Sequence, residues 1–342
     1  MKKEFIFNTH RFFKECHAST LVELSGGGFM ACWFGGTKEG NKDVAIWGSR
    51  RLNGEWTVPV KLAKVNNAPH WNPVLFKAND VIYLFFKVGM SIMTWSTWVM
   101  SSDDNGKSWS KPQELVSGNR GGRGPVKNKP IILSNGTWVA PASVENKWWK
   151  AFVDLSYDKG KTWIKSKMPQ LTRNMFVNCE PPKGFPKAHG VIQPSVWESS
   201  RGNIHMLLRS SCGYICRSDS NDYAVSWSKI YPTSMPNNNS GLDVAKLNNN
   251  ILALICNPVS QNWGKRTPIS LFLSNSNGTN WTHCLDLETE KGEFSYPSII
   301  PTSKGGAITY TWNQKKIVFV EFESPKWKSE KIHDKQNQIV SY

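Results

Sequence analysis

Short apolar stretches alternate with compact polar ones along the chain, and the alternation has the period of strands rather than helices. Runs such as 81–86 and 251–255 are the length of one strand. Between the runs recur clusters of the kind that close β-hairpins: Gly26-Gly27-Gly28, Asn79-Asp80, Asn135-Gly136, Arg201-Gly202-Asn203, Asn248-Asn249-Asn250 and Gly305-Gly306. Each marks one unit, which predicts six units. In the third unit the pattern places strands at 129–133, 137–143, 152–156 and 163–166.

A second repeat supports the first. Ser156-Tyr157-Asp158-Lys159-Gly160-Lys161-Thr162-Trp163 fits S-x-D-x-G-x-T-W, and Ser102 to Trp109 fits it with Ser108 for the threonine. Worn copies run from Ser220 to Trp227, from Ser274 to Trp281 and from Ser49 to Trp56. The closing tryptophans, Trp56, Trp109, Trp163, Trp227 and Trp281, are 53, 54, 64 and 54 residues apart. The residue types suit a turn: Asp accepts backbone N–H groups across it, Gly supplies positive φ, and Trp covers an apolar face. These residues are therefore assigned to structure, not to a site. Short antiparallel strands repeated at a period of roughly 50 residues predict an all-β fold, a six-bladed β-propeller with four-stranded antiparallel blades, as one domain over residues 1–342. Two β-sandwich domains are the alternative.

Composition narrows the function classes. Seventeen tryptophans and 39% hydrophobic residues supply a large core and argue against disorder. No run approaches the ~20 apolar residues that span a bilayer, and the start lacks a secretory apolar segment, so no membrane span and a cytoplasmic location are expected. The net charge of +16 comes from scattered lysines, which a Lys- and Asn-rich coding bias explains as well as a polyanionic partner does; nucleic acid is not expected. The seven cysteines read as reduced and mostly buried. Cys212 and Cys216 have no matching pair at zinc-site spacing, so neither metal nor cofactor is expected.

With its Asp boxes, the chain resembles the bacterial neuraminidase repeat proteins of the sialidase superfamily over essentially its whole length. The resemblance implies a site at the channel mouth away from the Asp boxes. It also implies three arginines on a sugar carboxylate, a tyrosine nucleophile paired with a glutamate, and an acid/base aspartate in an early loop. A tyrosine suits a sugar whose own charge would repel a carboxylate nucleophile. The family's first arginine matches His17, ahead of Ala18-Ser19-Thr20-Leu21; the second matches Arg209 and the third Arg266. Its tyrosine matches Tyr296 in Tyr296-Pro297-Ser298-Ile299, and its glutamate falls at Gln193, an amide that cannot take a proton. Glu39 and Asp43 are the acid/base candidates in the loop 35–43.

Further polar and aromatic residues belong at the mouth by strand position: Trp33, Lys127, Lys129, Glu145, Asp243, Glu293 and Tyr310. Lys127 or Lys129 would replace the charge lost at His17, and Glu293 or Glu145 the missing glutamate. The arginines have a plainer reading as ion pairs between blades, and Tyr296 one as a half-buried aromatic. Three functions stay open: an exo-acting glycoside hydrolase on a sialic or uronic acid, a lyase that eliminates across a uronate with His17 or Tyr296 moving protons, and a non-catalytic lectin. The expected partner is an acidic oligosaccharide, and the expected state a monomer.

Overall fold

The structure is a computed structural model, and it describes residues 1–8, 12–176, 179–181, 183–184 and 189–323. It is all-β, with one 3-10 turn at Arg173–Phe176 and no helix long and apolar enough to cross a membrane among the described residues.

The strands form antiparallel sheets in sequence order. Glu15–Glu23, Phe29–Gly36 and Ala45–Leu52 pair in turn, with Glu55–Trp56 and Val60–Ala63 sharing the outer edge. His70–Ala78, Val81–Val88, Ser96–Ser102 and Gln113–Glu114 make the next sheet. Ile131–Ile132, Trp138–Glu145, Trp148–Ser156 and Ile164–Lys165 follow, then His189–Ser200, Asn203–Ser210, Tyr214–Ser220 and Tyr231–Pro236. A short parallel contact joins these two groups, Trp148 opposite His189 and Trp149 opposite Gly190. Asp243–Lys246, Leu252–Cys256, Ile269–Ser274 and Thr282–Glu288 form the next sheet. Phe294–Pro301, Gly305–Trp312 and Lys316–Glu323 form the last, whose outer strand is Lys2–Phe5 from the other end of the chain.

Alternate residues of a strand face opposite sides of its sheet, so each sheet packs on both neighbours. The apolar clusters follow that rule. Phe34, Ile46, Leu84 and Phe86 fill the junction of the first two sheets, and Phe85, Trp138 and Trp163 the next. Val153, Met206 and Leu208 follow, then Leu207, Leu242 and Leu254, then Leu271, Ile308 and Tyr310. Phe7, Phe13, Trp33, Ile317 and Phe319 lie between the last sheet and the first. Trp33 and Tyr310 thus belong to the core and not to the channel mouth. Trp33 stacks on Phe7 at 5.1 Å, and the Tyr310 hydroxyl donates to Glu288 at 2.6 Å. Each sits on a second strand, whose side chains point at neighbouring sheets.

The Asp boxes make the turns their residue types suggest. Ser156 Oγ donates to Asp158 Oδ1 at 2.8 Å and accepts Gly160 N at 2.7 Å, while Asp158 accepts Thr162 N at 2.9 Å and Thr162 Oγ1 at 2.6 Å. Hydrogen bonds from Thr162 lead in pulling the Asp158 pKa down to about 2. Ser102 to Ser108 and Ser220 to Ser226 repeat the network, and in 274–281 Ser276 Oγ takes the aspartate's place, accepting Asn280 N. The Ser49 to Trp56 copy differs. Its turn is a two-residue hairpin through Asn53 and Gly54, both at positive φ, with Leu52 paired to Glu55.

Polar ties hold the inner strands together near the axis. Asp243, fully buried, accepts Ser195 Oγ at 2.6 Å, Ile299 N at 2.9 Å and Lys129 Nζ at 2.9 Å. Lys127 is buried too, donating to Asn128 Oδ1 at 2.8 Å and to the carbonyls of Leu242 and Pro297; burial draws its pKa down to about 7. Lys127, Lys129 and Asp243, expected at the mouth, are therefore internal ties between strands. A buried charge is tolerable only with such partners.

Candidate active site

Four inner strands share one local distortion. The pairing register slips between His17 and Thr20, Trp71 and Val74, Ile192 and Ser195, and Ser295 and Ser298. Inside each slip one non-glycine residue has positive φ: Ala18 at 55°, Asn72 at 41°, Gln193 at 54° and Tyr296 at 52°. A bulge of this kind bends a strand and re-aims a side chain, and the strain persists only where the surroundings enforce it. Proline or serine follows at each position, in Ser19, Pro73, Pro194 and Pro297. Asn72, Gln193 and Tyr296 thereby line one cavity of about 580 Å³, and in the first strand His17, the residue before the bulged Ala18, lines it.

The cavity gathers half of the residues the sequence pointed to. His17, Glu39, Glu145, Gln193, Arg209, Arg266 and Tyr296 all line it. Arg209 Nη1 donates to the Tyr296 hydroxyl at 2.8 Å and to Gln193 Oε1 at 3.3 Å, and its Nε donates to Asn239 Oδ1 at 2.8 Å. Gln193 Nε2 also donates to the Tyr296 hydroxyl, at 3.3 Å. The Arg209 guanidinium is enclosed by the rings of Trp149, Trp263 and Tyr296, its carbon 5.4, 5.6 and 5.8 Å from their centroids. Arg266 lies over the Tyr296 ring at 5.7 Å and pairs with Glu293 at 2.6 Å. Glu293 is thus the arginine's counter-ion, next to the cavity rather than in its lining.

The titratable groups are tuned by burial. The His17 ring packs on Tyr296 with centroids 4.3 Å apart, and its Nδ1 has no partner. Burial, reinforced by Arg266, Arg209 and Lys127, holds its pKa well below the ordinary value, so the imidazole is neutral near pH 7. Burial raises the pKa of Glu145 against the pull of Arg209 and Lys87, and Glu145 Oε1 has no partner. Glu39 is exposed as a residue but stands over the cavity among its walls, where desolvation raises its pKa although Arg266 opposes it. Asp43, the other loop candidate, does not line the cavity: its carboxylate accepts Thr37 N at 2.7 Å and Thr37 Oγ1 at 2.8 Å and holds the loop's shape.

The aromatic wall was missed in the sequence. Trp71, Trp95, Trp149, Trp263 and Met93 line the cavity, and Asn239 positions Arg209 from behind. Trp71 had a visible signal, since Trp71-Asn72-Pro73 has the same form as the stretches leading into Pro194 and Pro297. The opposite end of the channel holds a larger hollow of about 690 Å³, but Leu21, Leu75, Phe76, Ile131 and Ile300 make it mainly apolar. Among the described residues no group of acidic, His or Cys side chains is placed to hold a metal ion.

A family model described as a BNR repeat-like domain matches residues 27–309. The chain belongs to that family. No curated protein matches this BNR repeat-like chain at significant similarity. Among solved structures, it is similar to a Hadza microbial sialidase with a TM-score of 0.72 and 16% identity, over 90% of this chain and 65% of that one. A protein of unknown function from Dyadobacter fermentans gives a TM-score of 0.72 at 14% identity, over 93% of this chain and 96% of that one. The Trypanosoma rangeli sialidase in complex with the inhibitor DANA gives 0.67 at 13% identity, over 90% of this chain and 55% of that one. The BNR repeat-like chain thus spans less than two thirds of both sialidases. The likeness establishes the fold, a sialidase-like β-propeller, and the Asp boxes make the protein a divergent sialidase-like member of its family.

Proposed function

We propose that this protein is a six-bladed propeller enzyme, an exo-acting glycoside hydrolase that removes a terminal carboxylate-bearing sugar, sialic or uronic. The observation that carries the reading is the meeting of Arg209, Arg266 and Tyr296 in one aromatic-walled cavity with three titratable groups tuned by burial. Six blades are supported by apolar clusters at every sheet junction, the one from last sheet to first included.

In this reading Arg266 and Arg209 hold the sugar carboxylate, with the planar forks that bind carboxylates best. Glu39, whose pKa desolvation raises, gives a proton to the leaving oxygen. Tyr296 attacks the anomeric carbon, and since Gln193 cannot accept its proton, the acceptor is Glu145, with its unpartnered oxygen. The tryptophans stack on the sugar's apolar face. Arg209 donating to the Tyr296 hydroxyl places the electrophile's anchor and the nucleophile side by side.

The neutral, unpartnered His17 against Tyr296 favours a second reading, in which the same residues abstract the C5 proton of a uronate and eliminate the 4-linked group. One assay tests both. Incubation with sialyl and glucuronyl oligosaccharides releases a free acidic sugar if the protein hydrolyses, and an unsaturated product absorbing in the ultraviolet if it eliminates. Binding without either product overturns both readings in favour of a lectin.

A further inference from the structure

The hairpin turn beside Arg209 holds a pair of thiols that the sugar site does not use. Cys212 lies in the turn between Asn203–Ser210 and Tyr214–Ser220, and Cys216 is the third residue of the return strand, opposite Leu208. Their sulfurs are 3.6 Å apart, close enough for a small rotation to bring them to bonding distance. The surroundings order both side chains: Ser210 Oγ lies 3.1 Å from Cys212 Sγ, and the Tyr214 carbonyl faces both sulfurs at 3.7 and 3.9 Å. Gly213, at a φ of 83°, makes the turn that presents one sulfur to the other. Cys212 retains some exposure and Cys216 none. The contact between the two sulfurs also lowers the Cys212 pKa and raises that of Cys216, the order a nucleophilic and a resolving thiol require.

We infer that Cys212 and Cys216 form an oxidisable dithiol that hydrogen peroxide converts to an intramolecular disulfide. The Cys212 thiolate attacks the peroxide's outer oxygen, forming a sulfenic acid and releasing water after protonation. Cys216 then attacks that sulfur, the S–O bond breaks, and a second water leaves. Two thiols and one peroxide become one disulfide and two waters, so the thiols are oxidised and the peroxide reduced. The turn is joined to the sugar cavity: Asn237 N donates to the Gly213 carbonyl at 2.9 Å, Asn237 Oδ1 accepts Asn239 N at 3.2 Å, and Asn239 holds Arg209.

Trypsin cleavage after Arg209 and Arg217 puts both cysteines on one peptide, residues 210–217. The native full-length chain is treated with hydrogen peroxide, alkylated under denaturing conditions, digested and weighed. The expected result is a peptide two hydrogens lighter that takes no alkyl group until dithiothreitol is added, while the exposed Cys284 serves as the reactivity control. In Cys216→Ser the sulfenic acid has no resolving thiol and is trapped by dimedone on Cys212. A wild-type peptide that carries two alkyl groups after peroxide, or Cys212 found bonded to Cys179 or to a second chain, overturns the inference. Since the readout is mass and not sugar turnover, its failure leaves the glycosidase reading untouched, and the reverse holds too.

Discussion

Arg209 and Arg266 carry the same charge in different surroundings, and the difference separates binding from stability. Arg266 is partly exposed and held by one ion pair of a kind worth ~0–1 kcal/mol. Arg266→Ala is expected to leave the melting temperature nearly unchanged while weakening an acidic sugar roughly a hundredfold, the loss of one charge-assisted pair. Arg209 is buried and satisfies Asn239, Gln193 and Tyr296, so Arg209→Ala should cost binding and also about 1–3 kcal/mol of stability. Calorimetric titration beside a thermal melt checks both. The two positions look alike in the sequence, since burial depends on residues from other sheets. Glu39 gives a prediction in pH. Its acid role needs the protonated form, and burial raises its pKa, so kcat/KM should be highest below that raised value and fall as pH climbs through it. Glu39→Gln should lower the rate and remove that alkaline limb; a mutant keeping the wild-type profile would exclude Glu39 as the acid.

At the scale of elements, the Asp-box turn and its tryptophan were legible because both are local. Ser156, Asp158, Gly160 and Thr162 bond within eight residues of one another, and no distant partner is needed to infer them. Trp163 then leaves its own turn to meet Phe85 of the preceding sheet edge-on at 6.3 Å, within the cluster that holds Val74 and Trp138. Trp163→Ala should cost about 3–5 kcal/mol by urea unfolding, the price of a large buried aromatic. A fully stable mutant would mean the ring does not fill that junction. What the sequence hid was direction. Trp33 and Tyr310 sit on second strands, Asp243 on an inner strand, and Lys127 and Lys129 in the segment leading into Ile131–Ile132, yet strand position alone does not say which face or which end of the channel a side chain meets. Gln193 and Tyr296 were legible through their family motifs, but the positive φ that turns them to the cavity appears only when strands are paired.

At the scale of the molecule, the first and last strands of the described chain meet in one sheet: Lys2 opposite Glu321 and Phe5 opposite Val318. Ile6 and Phe7 continue from that strand into the junction of the last sheet with the first. Deleting residues 1–7 should therefore loosen a boundary far away in sequence and lower the melting temperature by roughly 5–10 °C. A shorter chain melting like the full one would show that this strand adds nothing. The repeat was readable from turn clusters and tryptophan spacing, whereas the use of the opening residues to complete the final sheet was not, since Lys2–Phe5 has no Asp box and no partner nearby in sequence. The shared bulge has a consequence of its own. It turns three inner strands into equivalent sockets that aim Asn72, Gln193 and Tyr296 at the same cavity, so chemistry can be exchanged at a socket without rebuilding the sheets around it. Gln193→Glu puts a proton acceptor within reach of the Tyr296 hydroxyl by changing an amide for a carboxylate of the same shape. If hydrolysis is the native reaction, turnover of sialyl substrates should rise in that variant while the melting curve barely moves.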